Sequence, residues 1–223
     1  MPRISQVPSI KGSQKWIQKL VNEKPDLLNS LIRTQLDLPE TDTITWVSPI
    51  AEDGYAEYQD QAFLDLLGIK LSKISLSDFW PSRGPVWDGL GKSETGKVFL
   101  VEAKSHISEV LSPDTGAGVK SLRKIKKSLD ETKSYLNSNS EHDWTSTFYQ
   151  YTNRLAHLYL LRAPNKVPAY LIFVYFVNDK EMNGPQSIDE WNDALSLLTS
   201  YLGIGRHKLS KYIVDIFTDI GEI

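Results

Sequence analysis

Pro85-Val86-Trp87-Asp88 and, beyond a glycine-marked turn, Val98-Phe99-Leu100-Val101-Glu102-Ala103-Lys104 decide how this chain is read. The second stretch is a run of strand formers, and side chains on a strand alternate between its faces. Glu102 and Lys104 stand two residues apart, so both must project from the same face. A run this apolar belongs inside a sheet, where an acid and an amine are costly unless they are paired or bind something. Gly89, Gly91 and Gly96 surround a turn, so residues 88–102 read as a hairpin with one acid on each arm. Asp88 then joins Glu102 and Lys104, and two carboxylates with one ammonium make a divalent-metal site with a cationic neighbour.

This pattern resembles the PD-(D/E)xK nuclease superfamily, which includes many restriction and repair endonucleases. Its signature is an Asp soon after a Pro, a variable gap, then Glu or Asp, one residue, and Lys. Here Pro85 precedes Asp88 by three residues, and Glu102-Ala103-Lys104 supplies the second half. The resemblance covers about residues 55–177. It implies an α/β protein with a restriction-endonuclease-like core, a central mixed sheet flanked by helices. A helical N-terminal extension at 1–42 and a helix–strand addition at 185–223 would complete a single domain spanning 1–223.

The activity implied is divalent-metal-dependent phosphodiester hydrolysis of nucleic acid, with DNA the expected substrate because that is what the superfamily mostly cuts. Asp88, Glu102 and Lys104 would be the catalytic residues. Asp88, Glu102 and the Ala103 main-chain carbonyl would hold Mg2+ or Mn2+. Lys104 would orient or deprotonate the attacking water, or neutralise the phosphate. Some members carry another acid in the helix before the hairpin, for which Glu57 is the candidate and Asp60 the second choice. Two readings compete. One is a plain ion pair of Lys104 with Asp88 or Glu102 at a strand end. The other is a non-catalytic nucleic-acid- or protein-binding module on the same fold.

Composition narrows the choice. At 223 residues the chain can bury a sizeable core. It has no cysteine, which removes disulfides, thiolate zinc sites and cysteine nucleophiles. His106, His142, His157 and His207 are scattered without paired metal spacing, so a metal must rest on carboxylate oxygens, which suit magnesium or manganese. The first residues are polar, and the longest apolar run, 169–177, is far short of the ~20 residues that span a bilayer. A soluble, cytoplasmic protein with no membrane partner is expected.

The net charge of −3 does not announce a nucleic-acid binder, but the charge is uneven. Between 118 and 136, Lys120, Arg123, Lys124, Lys126, Lys127 and Lys133 face only Asp130 and Glu131. Lys120, Arg123, Lys124 and Lys127 are candidate phosphate contacts, against the alternative of a solvated helix face.

Along the chain, two helices split by Pro25 come first, then a short strand at 43–50. A helix at 55–67 stops at Gly68. Residues 69–76 are the candidate for the missing third strand of the core. After the hairpin come the basic helix and a second helix at 144–162. A strand at 169–177, apolar on both faces, follows; a helix at 188–202 and a strand at 212–218 end the chain. In the second helix, Gln150, Asn153, Arg154 and His157 follow one another at helical spacing and form a stripe without acids, able to reach a phosphate or steady the site. One decoy fails on context. Residues 91–97 match most of a phosphate-binding P-loop, but Val98 replaces the hydroxyl residue and Lys97 opens a strand, where a P-loop must open a helix.

Overall fold

The computed structural model describes residues 3–223. The chain opens with β1 (Arg3–Ile4) and the helices α1 (Gly12–Asn22) and α2 (Pro25–Leu36). Pro25 takes the first position of α2, where its missing N–H costs nothing. Next come β2 (Ile44–Ser48), β3 (Glu57–Tyr58), α3 (Asp60–Leu67) and the single-turn α4 (Leu76–Phe79). Gly68, in the left-handed conformation, closes α3 as its position in the sequence suggests. The hairpin forms from β4 (Gly89–Ser93) and β5 (Val98–Lys104). Helices α5 (Val119–Leu136) and α6 (Tyr149–Arg162) lead to β6 (Ala169–Val177), and α7 (Ile188–Leu202) leads to β7 (Ile213–Asp219).

Five of these strands make one sheet in the order β2-β4-β5-β6-β7. The first three are antiparallel neighbours, and β6 and β7 extend the sheet parallel to β5. The protein is therefore α/β, with a mixed sheet flanked by helices. β1 and β3 pair in a separate ribbon. The sheet buries both faces. Phe99, Val101 and Ala103 of β5 and Ile172, Val174 and Phe176 of β6 pack with Trp16, Leu20, Leu28 and Ile32 of α1 and α2. Val98 and Leu100, with Leu171, Phe173 and Tyr175, join a larger cluster with α3, α6 and α7. β6 is thus the apolar strand covered on both faces that its sequence announces, interior to the sheet, with β5 at its centre.

Two expectations need correcting. Residues 69–75 form no strand, because their backbone is engaged elsewhere: the Lys73 and Ile74 amides donate to the Asn165 side chain, and Ser75 caps α4. The third antiparallel strand is β2, from the stretch at 43–50, so the sheet reaches outside 55–177 at both ends. Nor does one helix fill 55–67. Glu57 and Tyr58 are extended and pair with β1, and the helix starts only at Asp60. The N-terminal extension accordingly contributes a strand as well as helices. No helix among the described residues is long and apolar enough to cross a membrane.

The hairpin is pinned at its turn by a buried acid. Asp42, 1 % exposed, accepts from the Thr95 amide at 3.1 Å, the Thr95 hydroxyl at 2.8 Å and Lys97 Nζ at 2.7 Å. The P-loop-like residues thus serve a tight turn. Burial alone would raise the Asp42 carboxyl, but Lys97 and Thr95 hold it well below its ordinary value. A depressed acid stabilises the fold above its unfolded value of 3.8, and the contribution disappears as pH falls below that. Asp42→Asn is expected to cost about 2 kcal/mol in urea unfolding at neutral pH, and the gap to the native protein should shrink near pH ~3.

Candidate active site

β5 keeps its alternation to the end, so Glu102 and Lys104 follow Val98 and Leu100 onto the face covered by α6. Both are buried, at 3 % and 9 % exposure. Glu102 is held from two sides. Its Oε1 accepts from Lys104 Nζ at 2.5 Å, and its Oε2 from Arg154 Nε at 2.7 Å and Nη2 at 2.5 Å. Arg154 also donates to the Val86 carbonyl and to Asn153 Oδ1, each at 2.8 Å, and its guanidinium lies 4.9 Å from the Trp87 ring centre. Gln150 Oε1 accepts from Lys104 Nζ at 3.0 Å.

Asp88 sits just before β4, where the hairpin ladder ends. Its amide donates to the Val101 carbonyl at 3.1 Å, and its Oδ2 accepts from the Ala103 amide at 2.8 Å. The amide and carbonyl of one residue leave an extended strand on the same edge. The Ala103 carbonyl therefore points to the Asp88 side, where β4 offers it no ladder partner. Among the described residues no cation pairs with Asp88. Desolvation, and then the negative charge of Glu102, push its carboxyl up to about 8, with Lys104 opposing. Glu102 goes the other way: burial would raise it, but Arg154 and Lys104 hold it below its ordinary value.

A cavity of about 590 Å³ opens over these groups, and Asp88, Glu102, Ala103, Lys104, Glu57, Gln150, Asn153 and Arg154 all line it. The strand-end ion pair foreseen as an alternative exists between Lys104 and Glu102 and leaves Asp88 out. Glu57 reaches the cavity from β3 instead of from a helix, buried, with its two oxygens accepting from the neutral side chains of Gln14 and Gln6 at 3.0 Å each. Its charge acts on Asp88. No group of three or more His, Cys, Asp or Glu side chains placed to hold a metal occurs among the described residues. Asp60 has a different job, receiving the amides of Arg83 and Gly84 and fixing the loop that walls the cavity.

The stripe on α6 divides: Asn153, Arg154 and His157 are buried, whereas Gln150 is exposed, and Gln150, Asn153 and Arg154 line the cavity. The phosphate candidates behave otherwise. Lys120, Arg123 and Lys127 are exposed on α5, Lys124 donates to the Ser77 carbonyl, and none of the four lines the cavity. His106 contacts Ser108 and Glu109. Sequence reasoning missed Glu109, which receives the Ser105 amide at 2.6 Å, and the clamp of Gln6 and Gln14 on Glu57. Isolated glutamines far upstream give no periodic signal that could have exposed them.

No family model, curated protein or solved structure matches this chain.

His157 lies behind Arg154, its ring centre 4.9 Å from that of Trp80, and its Nδ1 bonds the Asn153 carbonyl at 2.8 Å. Burial pushes it down to about 3 from 6.5, so it is neutral in the fold. The unfolded chain takes up that proton at higher pH, and stability therefore falls as pH drops below 6.5. The expected penalty approaches about 1.4 kcal/mol per pH unit. Urea unfolding between neutral pH and pH ~5 should show this slope in the native protein, and His157→Gln should flatten it.

Proposed function

We propose that this chain is a divalent-metal-dependent nuclease of the PD-(D/E)xK kind, acting on DNA. The observation that carries the reading is the convergence of Asp88, Glu102, Ala103 and Lys104 on one cavity, with Asp88 lacking any cationic partner. The order of elements supports it. From α2 to β6 the chain supplies a helix, three antiparallel sheet strands (with β3, α3 and α4 inserted after the first), two helices and a strand parallel to the third, an order compatible with a restriction-endonuclease-like core.

The donor set fits a hard cation, since it consists of two carboxylates and a peptide oxygen. Asp88, Glu102 and the Ala103 carbonyl would hold Mg2+ or Mn2+. When bound, such an ion acidifies water and withdraws charge from phosphate oxygens. The chain's own groups have separate tasks. Arg154 keeps Glu102 ionised and fixed through Oε2, leaving Oε1 to be shared between Lys104 and a ligand. Gln150 bonds Lys104 Nζ, which lines the same cavity and would hold a water or a phosphate oxygen. Glu57 adds negative charge to the same cavity without a positive partner of its own.

A non-catalytic binding module on the same fold is the second reading. It draws on the engagement of both Glu102 oxygens by cations and on the placement of the basic α5 outside the cavity lining.

Labelled single- and double-stranded DNA, with RNA beside them, should be cut in the presence of Mg2+ or Mn2+ and left intact with chelator. Asp88→Asn, Glu102→Gln and Lys104→Ala should each lower the rate by about a hundredfold or more. Mn2+ should raise the thermal midpoint of the native protein and leave that of Asp88→Asn unchanged. Neither cutting nor a metal-dependent shift would move the assignment to the binding module.

A further inference from the structure

Immediately beyond the catalytic strand, the turn at 107–111 and helix α7 enclose a second groove of about 450 Å³. Leu111 lines both this groove and the acid-lined cavity, so the two adjoin. Ile107 and Leu111 from the turn, Leu197 from α7 and Phe148 supply the groove's apolar lining. Leu197 is 66 % exposed and Leu111 52 %, large apolar side chains with no partner in the fold. Glu190 and Asp193 share the Leu197 stripe of α7 at helical spacing, and Asp189 adjoins them. The helix holds no basic residue, and no ion pair among the described residues engages any of the three acids.

We propose that this groove docks a partner protein through an amphipathic helix whose apolar anchors are flanked by Lys or Arg. The charge pattern selects that occupant. Acids beside an apolar lining attract cationic flanks and repel the phosphates of a nucleic-acid strand, while Ile107, Leu111 and Leu197 offer apolar surface to the anchors of such a helix. A basic partner seated there would also bring positive charge to the edge of the catalytic cavity, which the chain's own basic helix does not line. The docking goes beyond the nuclease reading and stands or falls independently of it.

Two synthetic helices with the same leucine spacing, one carrying lysine and the other glutamate at its polar positions, serve as probes on the full chain. The lysine helix should bind, as read by fluorescence anisotropy, and protect α7 from hydrogen exchange; the glutamate helix should not. Leu197→Ser and Asp193→Lys alter exposed side chains, so the variants should fold, and each should weaken binding about tenfold or more. Absence of binding, or equal binding by native protein and both variants, would overturn the proposal. So would single-stranded DNA that protects α7 in place of the lysine helix, which would make the groove a nucleic-acid surface.

Discussion

The two-residue period of β5 imposes the constraint on which the site depends. Once Val98 and Leu100 face the core under α6, Glu102 and Lys104 must face it too. An isolated charge in that setting costs several kcal/mol, so the acid and the amine have to be answered from the opposite wall. Arg154 provides the answer. Its guanidinium meets Glu102 side-on, bonds the loop before β4 through the Val86 carbonyl, and rests on Trp87. One side chain thereby ties α6, β5 and the loop that delivers Asp88. The aromatic packing of Trp80, Trp87, Phe63 and His157 behind it follows from where that guanidinium must lie.

The same network separates the two carboxylates electrostatically. Glu102, between Lys104 and Arg154, is held ionised; Asp88, whose side chain is bonded by a peptide N–H alone, is pushed up by burial and by the charge of its neighbour, with Lys104 only partly opposing them. A second carboxylate without a direct cationic partner is costly to bury, and Asp88 offsets part of that cost by accepting the Ala103 amide.

Much of this was legible in the sequence because it rests on periodicity. The alternation in 98–104, the doubly apolar run of β6, and the stripe of Gln150, Asn153, Arg154 and His157 are spacings that a chain cannot satisfy in many ways. What the residues do not carry is the choice between two weak strands. Of residues 69–76 and 43–50, the second joins the sheet, while in the first a distant side chain, Asn165, accepts the Lys73 and Ile74 amides. Glu57 shows the same limit from another side. It lines the cavity, but from a strand in place of the expected helix, because a two-residue pairing with Arg3 and Ile4 set the local backbone. The inward direction of Arg154 was also beyond the sequence, since periodicity groups residues on a face without saying which face meets the sheet.

The geometry of the site finally comes from a mismatch in strand length. β5 runs to Lys104 and is paired with β6 along its whole length, but its antiparallel partner β4 begins only opposite Val101. Gly89 sits closely against β5 at that start: a Cβ there would lie 3.2 Å from the Val101 Cβ, so Val101 would have to give by a few tenths of an ångström. The last residues of β5 are thus covered on one edge and open on the other, and the Asp88 side chain fills the gap by taking the Ala103 amide. A sheet whose strands ended together would have bonded Ala103 into the ladder and left no peptide oxygen facing a carboxylate. The acid on each arm of the hairpin and the peptide between them converge because the hairpin is uneven, so the spacing from Asp88 to Glu102 matters less than the register of β4 against β5.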